Sequence, residues 1–458
     1  MVKVSVIMPS LNVVDYIDEC IQSVINQTLR EIEIICIDAG STDGTYEKLL
    51  DYAKNDERIK VVLSAEKSYG RQINMGIGLA RGKYIGIVET DDFIDSNMYS
   101  ELYDLSEQYN LEFVKGDYED VYSSMDSTYI MRPVKMFTGH LEKYYGNVIC
   151  PNEIPMLHEL GLNIWRGIYN RKFLLNNAIY LNETKGAAFQ DTAFYHQIII
   201  KSRRAMFVDK PYYKYRQDRA ESSFRNPNTL IYTYNEYRYL IDKYSMDCDT
   251  AVNRFHWHYI LVKSLREYVM HMRNYILTHN CEVNSLEAVS DKVKWFNSIL
   301  DDAINNNVIN GNDFDENVWN DFVIINQSVI EFANLIKVKR KITTDLNWDF
   351  WKELSNQELV IFGLGEYGRL VSNMLQRHGY NIVAYCDNNK SIKEYMGKKV
   401  LSPEEAVINF KHATYIVASK LYGAAMKAQL ESLGISYSMI KKYSPLINWE
   451  AYHVQRDN

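Results

Sequence analysis

The apolar run 84–88 stops abruptly at Glu89-Thr90-Asp91-Asp92, and this junction limits the folds open to the chain. The run has the length and composition of a strand buried on both faces, which belongs in a parallel sheet covered by helices. Three carboxylates within four residues cannot follow it into a core, because buried like charges repel. They belong at the carboxyl edge of the sheet, with a cation or hydrogen-bond donors among them. Mg²⁺ or Mn²⁺ carrying phosphate oxygens meets that demand, since hard cations take one or two carboxylates plus phosphate. A solvated acidic turn capping the next helix is the other reading.

The residues before the tetrad extend the pattern. Strand-like runs at 3–8, 32–37, 59–63 and 84–88 alternate with helical periodicities over 14–29, 44–54 and 69–80. Such alternation predicts a mostly parallel sheet with helices on both faces. In sheets of this kind ligands bind beyond the carboxyl ends of the strands. Pro9, Ser10 and Asn12, then Asp38 to Asp43, then the tetrad each follow a strand end, so three polar clusters converge on one edge. Asp43 has a ready structural role at a helix start; Asp38 has none visible in the sequence.

Together, Val4-Ser-Val-Ile-Met-Pro9-Ser10-Leu11-Asn12, Glu33-Ile-Ile-Cys-Ile-Asp38-Ala39-Gly40-Ser41-Thr42-Asp43-Gly44-Thr45 and the tetrad resemble the family 2 glycosyltransferases, which have the GT-A fold. The resemblance covers about the first half of the chain. It implies an inverting transferase that uses a nucleotide-sugar donor, with Pro9, Ser10, Asn12, Asp38, Glu89, Thr90 and Asp91 at the donor. Asp38 would accept from the uracil of a UDP-sugar, and Asp91 or Asp92 would ligate the metal. Arg71 and Asn74, one helical turn apart, match a family segment loosely and would face the diphosphate. Trp165, in Asn163-Ile-Trp-Arg-Gly-Ile-Tyr-Asn-Arg171, would be an acceptor platform, with a core tryptophan as the competing reading. Ala187-Ala-Phe-Gln190-Asp191 resembles the block that carries the general base, so Asp191 would deprotonate the acceptor beside Gln190. Helix capping is a second, compatible role for Asp191. Arg216 and Arg219 would brace the diphosphate. The sequence departs from the family pattern at Ala39, Glu89, Gln190 and Arg219. These departures leave a non-catalytic nucleotide-sugar-binding scaffold as the alternative.

Beyond residue 228 the punctuation changes. No proline occurs from 228 to 402, and apolar residues recur at helical spacing, which predicts about four helices over 228–345, with single helices near 284–307 and 315–338. His256 and His258 lie two apart, so on a helix they point apart and cannot share an ion. The basic run 337–341 reads as a solvated helix end. A new domain then begins with Leu359-Val-Ile-Phe-Gly363-Leu-Gly365-Glu-Tyr-Gly368, followed by a helix to 377, a strand over 382–386 and Asp387. Strand, Gly-x-Gly-x-x-Gly, helix, strand and acid form the dinucleotide-binding fingerprint. Only about ninety residues follow its start, so we expect one mononucleotide-binding half. Nucleotide-sugar binding through Gly363, Gly365, Gly368 and Asp387, and a structural or dimerising role, are the two readings.

The expected architecture is therefore α/β: a GT-A (Rossmann-like) domain over 1–227, a helical segment over 228–345 and a small Rossmann-like domain over 356–445. A net charge of −8 argues against a general nucleic-acid binder. Six scattered cysteines without a Cys-x-x-Cys pair suit a reducing compartment. The chain runs directly into a strand without a signal segment, and no apolar stretch of about 18 residues occurs. The expectation is a cytoplasmic enzyme acting on a glycan or lipid-linked glycan, with peripheral contact at the inner face of the plasma membrane and homo-oligomerisation through the C-terminal domain left open.

Overall fold

The computed structural model describes residues 1–443 apart from 124–128, 162, 218–227, 246–250, 280–282, 346–353, 355, 378, 390–391 and 420–421. The chain forms two compact units, one built mainly from the residues up to Phe332 and the other mainly from Ala333 onward.

In the first unit, β1 (Val4–Ser10), β2 (Ile32–Asp38), β3 (Ile59–Leu63) and β4 (Tyr84–Ile87) are parallel, in the order β3-β2-β1-β4. Every residue of β1 and β2 is buried, as strands covered on both faces require. The Tyr69–Leu79 helix lies so close to β1 that a Cβ on Gly76 would come within 2.5 Å of the Ile7 side chain. Register places Ser10 opposite Asp38, and β4 ends just before the tetrad. The three polar clusters thus reach one edge.

The sheet then departs from the expected mostly parallel form. It continues as a mixed sheet: β8 (Gly167–Asn170) pairs antiparallel with β4 and with β6 (Phe113–Ser123), and the order runs on from β6 to β9 (Ala205–Arg216), which pairs antiparallel with β5 (Phe93–Ile94), with β7 (Tyr129–Val134) beside β6. Among these, only the start of β6 shows as a clear apolar run. β5 and β8 are very short, and β9 mixes tyrosines with charges around Pro211.

The helices that follow are Thr229–Tyr244, Ala251–Thr278, Val283–Glu287, Ser290–Asn305, Glu316–Gln327 and Val329–Asp345. The single helix expected over 315–338 is broken at Ser328, which is extended (φ −161°, ψ 110°) and whose hydroxyl accepts from the Glu331 N–H at 3.2 Å. A serine able to bond the next turn's backbone competes with helix continuation. The helix expected over 284–307 is likewise two, with Val289 outside helical geometry between them. His256 and His258 diverge, as their spacing requires; His258 Nδ1 reaches the Val308 carbonyl at 2.8 Å.

His256 enters a buried chain of imidazoles. Asn152 Nδ2 donates to the Ile200 carbonyl at 2.5 Å, which orients the amide, and lies 3.2 Å from His256 Nε2. His256 Nε2 therefore accepts, its Nδ1–H donates to His158 Nε2 at 2.8 Å, and His158 Nδ1–H donates to His196 Nδ1 at 2.9 Å. The chain ends in a buried His196 Nε2 that has no protein partner. Burial holds all three rings below the ordinary histidine pKa, so they are neutral. This chain ties the Ala251–Thr278 helix and the Pro155–Glu159 turn to the Gln190–Lys201 helix, which carries Asp191.

The second unit is a six-stranded sheet from β10 (Leu359–Phe362), β11 (Ile382–Cys386), β12 (Glu394–Tyr395), β13 (Lys398–Leu401), β14 (Thr414–Val417) and β15 (Ile440–Lys442), in the order β12-β13-β11-β10-β14-β15. Every pairing is parallel except β12 with β13. Alternate residues of β10 enter opposite cores. Ile361 packs in the cluster with Val371 and Leu375, and Val360 and Phe362 pack in the one with Ala406 and Leu430. β13 and β15, which escaped the sequence, complete the sheet. Among the described residues, no helix is long and apolar enough to cross a membrane.

Candidate active site

Backbone geometry at the end of β4 brings Glu89, Asp91 and Asp92 together, with one carboxylate oxygen from each within 4.8 Å of the others. Asp92 is the buried member, 1% exposed. Its Oδ1 accepts from the Arg216 backbone N–H at 2.7 Å and its Oδ2 from the Tyr213 hydroxyl at 2.9 Å. Burial, with Asp91 and Glu89 adjacent, pushes its carboxyl well above the usual range despite those bonds. Asp91 is more open. Three carboxylates with oxygens gathered this closely are a donor set suited to a hard divalent cation, and Glu89, Asp91 and Asp92 fit one.

Two tyrosines that sequence reasoning missed hold this loop. The Tyr213 hydroxyl accepts from the Glu89 N–H at 3.0 Å while donating to Asp92. The Tyr69 hydroxyl donates to Glu89 Oε1 at 3.1 Å, and its own ionisation is opposed first by burial and then by the charges of Glu89 and Asp191. Tyr69 therefore marks where the acidic cluster and Asp191 approach each other. Asp191 is the second residue of its helix. Phe189, at φ 67°, takes the cap position that the sequence offered to Asp191. Asp191 is half-buried; desolvation, with help from Glu267 and against Lys115, lifts its pKa to about 6. A carboxylate so tuned is a competent base near neutral pH.

Several expected ligand contacts are internal supports instead. Trp165 is 3% exposed and stacks on Tyr213 (centroids 4.0 Å, 26°) and Tyr215 (5.0 Å, 25°), so it supports the tyrosine that orients Asp92 and offers no acceptor platform. Gln190 is 1% exposed; its amide donates to the Thr184 carbonyl and hydroxyl and to the Gly186 carbonyl, which fixes the turn before Asp191. Thr90 is buried with its hydroxyl on the Pro9 carbonyl at 2.7 Å, and Pro9 and Ser10 are buried too, so these three form the floor. Asp38, 0% exposed, has the structural task the sequence did not reveal. Its Oδ1 accepts from the Gly40 and Ser41 N–H groups and its Oδ2 from the Ser10 and Ser41 hydroxyls. Asn12, exposed at φ 52°, accepts from the Thr42 N–H and binds this turn to the end of β1.

Arg216, 8% exposed, directs its guanidinium to Glu19 Oε2 at 2.7 Å and to the Asp91 carbonyl at 2.9 Å. It braces the acidic loop and does not project outward. Arg71 and Asn74 do act together, but on residues 181–183: Arg71 Nη1 lies 3.1 Å from Glu183 Oε2, and Asn74 bonds Glu183 and both backbone groups of Leu181. Arg219 lies outside the described residues.

In the second unit, Gly363 adopts φ 93°, and a Cβ on Gly368 would sit 1.7 Å from the Gly363 carbonyl oxygen. Asp387 accepts from the Leu364 and Asn389 N–H groups, one on each oxygen, so its carboxylate stabilises the glycine loop. Gly365 has open space above it. Gly368→Ala is expected to destabilise this unit by about 3 kcal/mol or more, because backbone must move to admit the methyl. Urea unfolding of the full chain checks this; unchanged unfolding would show that the loop is looser than described.

Residues 5–159 match the family model described as Glycosyl transferase family 2, and residues 355–441 match one described as C2185-like, N-terminal. The uncharacterized glycosyltransferase EpsJ of Bacillus subtilis (strain 168) is 31% identical over 267 residues, spanning 58% of this chain and 72% of EpsJ. Glycosyltransferase GlyG of Streptococcus pneumoniae is 27% identical over 227 residues, spanning 47% of this chain and 70% of GlyG. Among solved structures, S. aureus TarS 1-349 in complex with UDP-GlcNAc aligns with 74% of this chain and 91% of its own, at a TM-score of 0.52 and 16% identity, a likeness of fold.

Proposed function

The chain belongs to glycosyltransferase family 2, and we propose that it moves a sugar, with inversion, from a UDP-linked donor to a glycan acceptor of a bacterial surface polysaccharide. The observation that carries this reading is that Tyr69 joins the two groups: its hydroxyl donates to Glu89 of the Glu89–Asp91–Asp92 cluster, and its N–H donates to the Gly186 carbonyl in the turn that Gln190 holds just before Asp191, a carboxyl whose pKa burial lifts to about 6. Asp191 takes the proton of the acceptor hydroxyl as that oxygen attacks the anomeric carbon. The bond from that carbon to the donor phosphate breaks, and the nucleoside diphosphate leaves. Asp91, the more open aspartate, is the residue we assign to direct ligation of Mg²⁺ or Mn²⁺, with Asp92 held by Tyr213 and Arg216 to orient the loop. Such a cation, when bound, supplies charge neutralisation for the diphosphate. The UDP-GlcNAc held by TarS makes UDP-sugars the donors to test first.

Calorimetric titration with UDP tests the cluster. Affinity is expected to fall at least ten-fold on chelation of divalent metal, and similarly in Asp91→Asn. Equal affinity with and without chelator would transfer the role of counter-charge to arginines. For the second unit we infer association or weak nucleotide-sugar binding, since Asp387 is already engaged with its own loop; tight NAD binding to the full chain would overturn that. We also infer a cytoplasmic location, which a nucleotide-sugar donor favours, and keep peripheral contact at the inner face of the plasma membrane as part of this proposal.

A further inference from the structure

Arg71 and Asn74, turned toward residues 181–183, help to form a cleft of about 630 Å³, a volume within the range of small-ligand sites. Its walls are the Tyr69–Leu79 helix, the segment that carries Tyr180, Leu181 and Glu183, and Tyr239 of the Thr229–Tyr244 helix. We propose that this cleft is a saccharide-binding site, which holds the acceptor glycan at a unit beyond its reacting hydroxyl. The assignment of that saccharide to the acceptor rests on the transferase reading above.

The chemistry of the lining selects the ligand class. Two half-buried tyrosines, Tyr180 and Tyr239, supply the aromatic surface that the C–H faces of a sugar pack against. Around them stand donors and an acceptor in one place. Arg71 and Glu183 are 37% and 42% exposed, so each presents part of its side chain to the cleft it lines. The Glu183 carboxylate in the same wall opposes a diphosphate, which needs positive charge alone. A neutral polyol uses both signs, because each hydroxyl donates and accepts.

Position places the cleft on the acceptor side. Glu183 is followed within three residues by Gly186, whose carbonyl accepts from the Tyr69 N–H at 2.9 Å and whose N–H donates to the Lys67 carbonyl at 2.7 Å. The Gln190 amide grips the same turn, and Asp191 is next in the chain. The chain segment that lines the cleft at Glu183 thus runs, within eight residues, to the base that must meet the acceptor hydroxyl.

Saturation-transfer NMR on the full chain provides the test, using methyl β-glucoside, methyl β-galactoside, methyl N-acetyl-β-glucosaminide and methyl β-glucuronide at millimolar concentration. At least one is expected to bind, about ten-fold more weakly in Tyr239→Ala, with binding retained in Tyr239→Phe, which keeps the ring. Arg71→Gln should also weaken binding, which guards against misfolding of a single variant. Absence of binding by all four probes, or undiminished binding in both Tyr239→Ala and Arg71→Gln, overturns the proposal. UDP release from UDP-sugars is measured alongside. Release without glycoside binding sinks the cleft and leaves the transferase; glycoside binding without release leaves a saccharide cleft on a protein that is not a UDP-sugar transferase.

Discussion

Asp191→Asn is expected to lower sugar transfer by about 10²–10⁴-fold, the range typical of losing a general base. The amide has almost the same shape, so the helix start and the Gln190-held turn should survive, and UDP affinity should stay within about two-fold. The pH profile sharpens the expectation. The base acts when ionised, and burial raises its pKa to about 6, so wild-type transfer should climb as pH rises through 6 and then level off. In Asp191→Asn the residual rate should lose that limb. Transfer at near wild-type rate, or an unchanged pH limb, would place the base elsewhere.

The imidazole chain predicts a second large effect, on stability. His158, His196 and His256 are 0%, 0% and 3% exposed and are held neutral in the folded protein. Below pH 6.5 the unfolded chain binds protons that the folded chain refuses, so this contribution is present above that pH and is lost as pH falls. An imidazole kept neutral throughout accounts for about 1.4 kcal/mol between pH 7.5 and 5.5, so His158 and His196, both held well below the ordinary value, account for about 3 kcal/mol. Asp191, Glu236 and Glu267 work in the opposite sense, because their raised pKa values let the folded state keep protons. Lys263, near the rings, adds to the cost of charging His158 and His196. The informative quantity is therefore a difference. His158→Gln should lose at least about 1.4 kcal/mol less than wild type over that interval, although it starts less stable. Urea titrations at the two pH values, followed by tryptophan fluorescence, read it directly. Equal losses in the two proteins would mean that the rings charge freely in the fold.

The parts of this fold that were legible were those written in apolar period and strand-end chemistry. β1, β2 and β4 announce themselves as apolar runs, and the polar clusters at their ends converge because parallel strands share a carboxyl edge. Side-chain direction was not legible. Trp165, Arg216 and Arg71 are residue types that suit ligands, yet Trp165 stacks beneath Tyr213, Arg216 pairs with Glu19, and Arg71 pairs with Glu183. Each partner lies far away in sequence, so no local spacing could reveal it. Tyr69 and Tyr213 were hidden for the same reason: thirty-six tyrosines give no hint of which two hold carboxylates. The helix breaks at Ser328 and Val289 were missed because apolar periodicity continues across them, and the imidazole chain because its members come from three separate elements.

The most direct test of the central claim is UDP release from a panel of UDP-sugars by the purified full chain with Mn²⁺ and no acceptor. If Glu89, Asp91, Asp92 and Asp191 form a sugar-transfer site, at least one donor should be hydrolysed slowly, with water replacing the acceptor, and Asp91→Asn and Asp191→Asn should each lower that release ten-fold or more. Release from no donor, or release unaltered by both substitutions, would contradict the account.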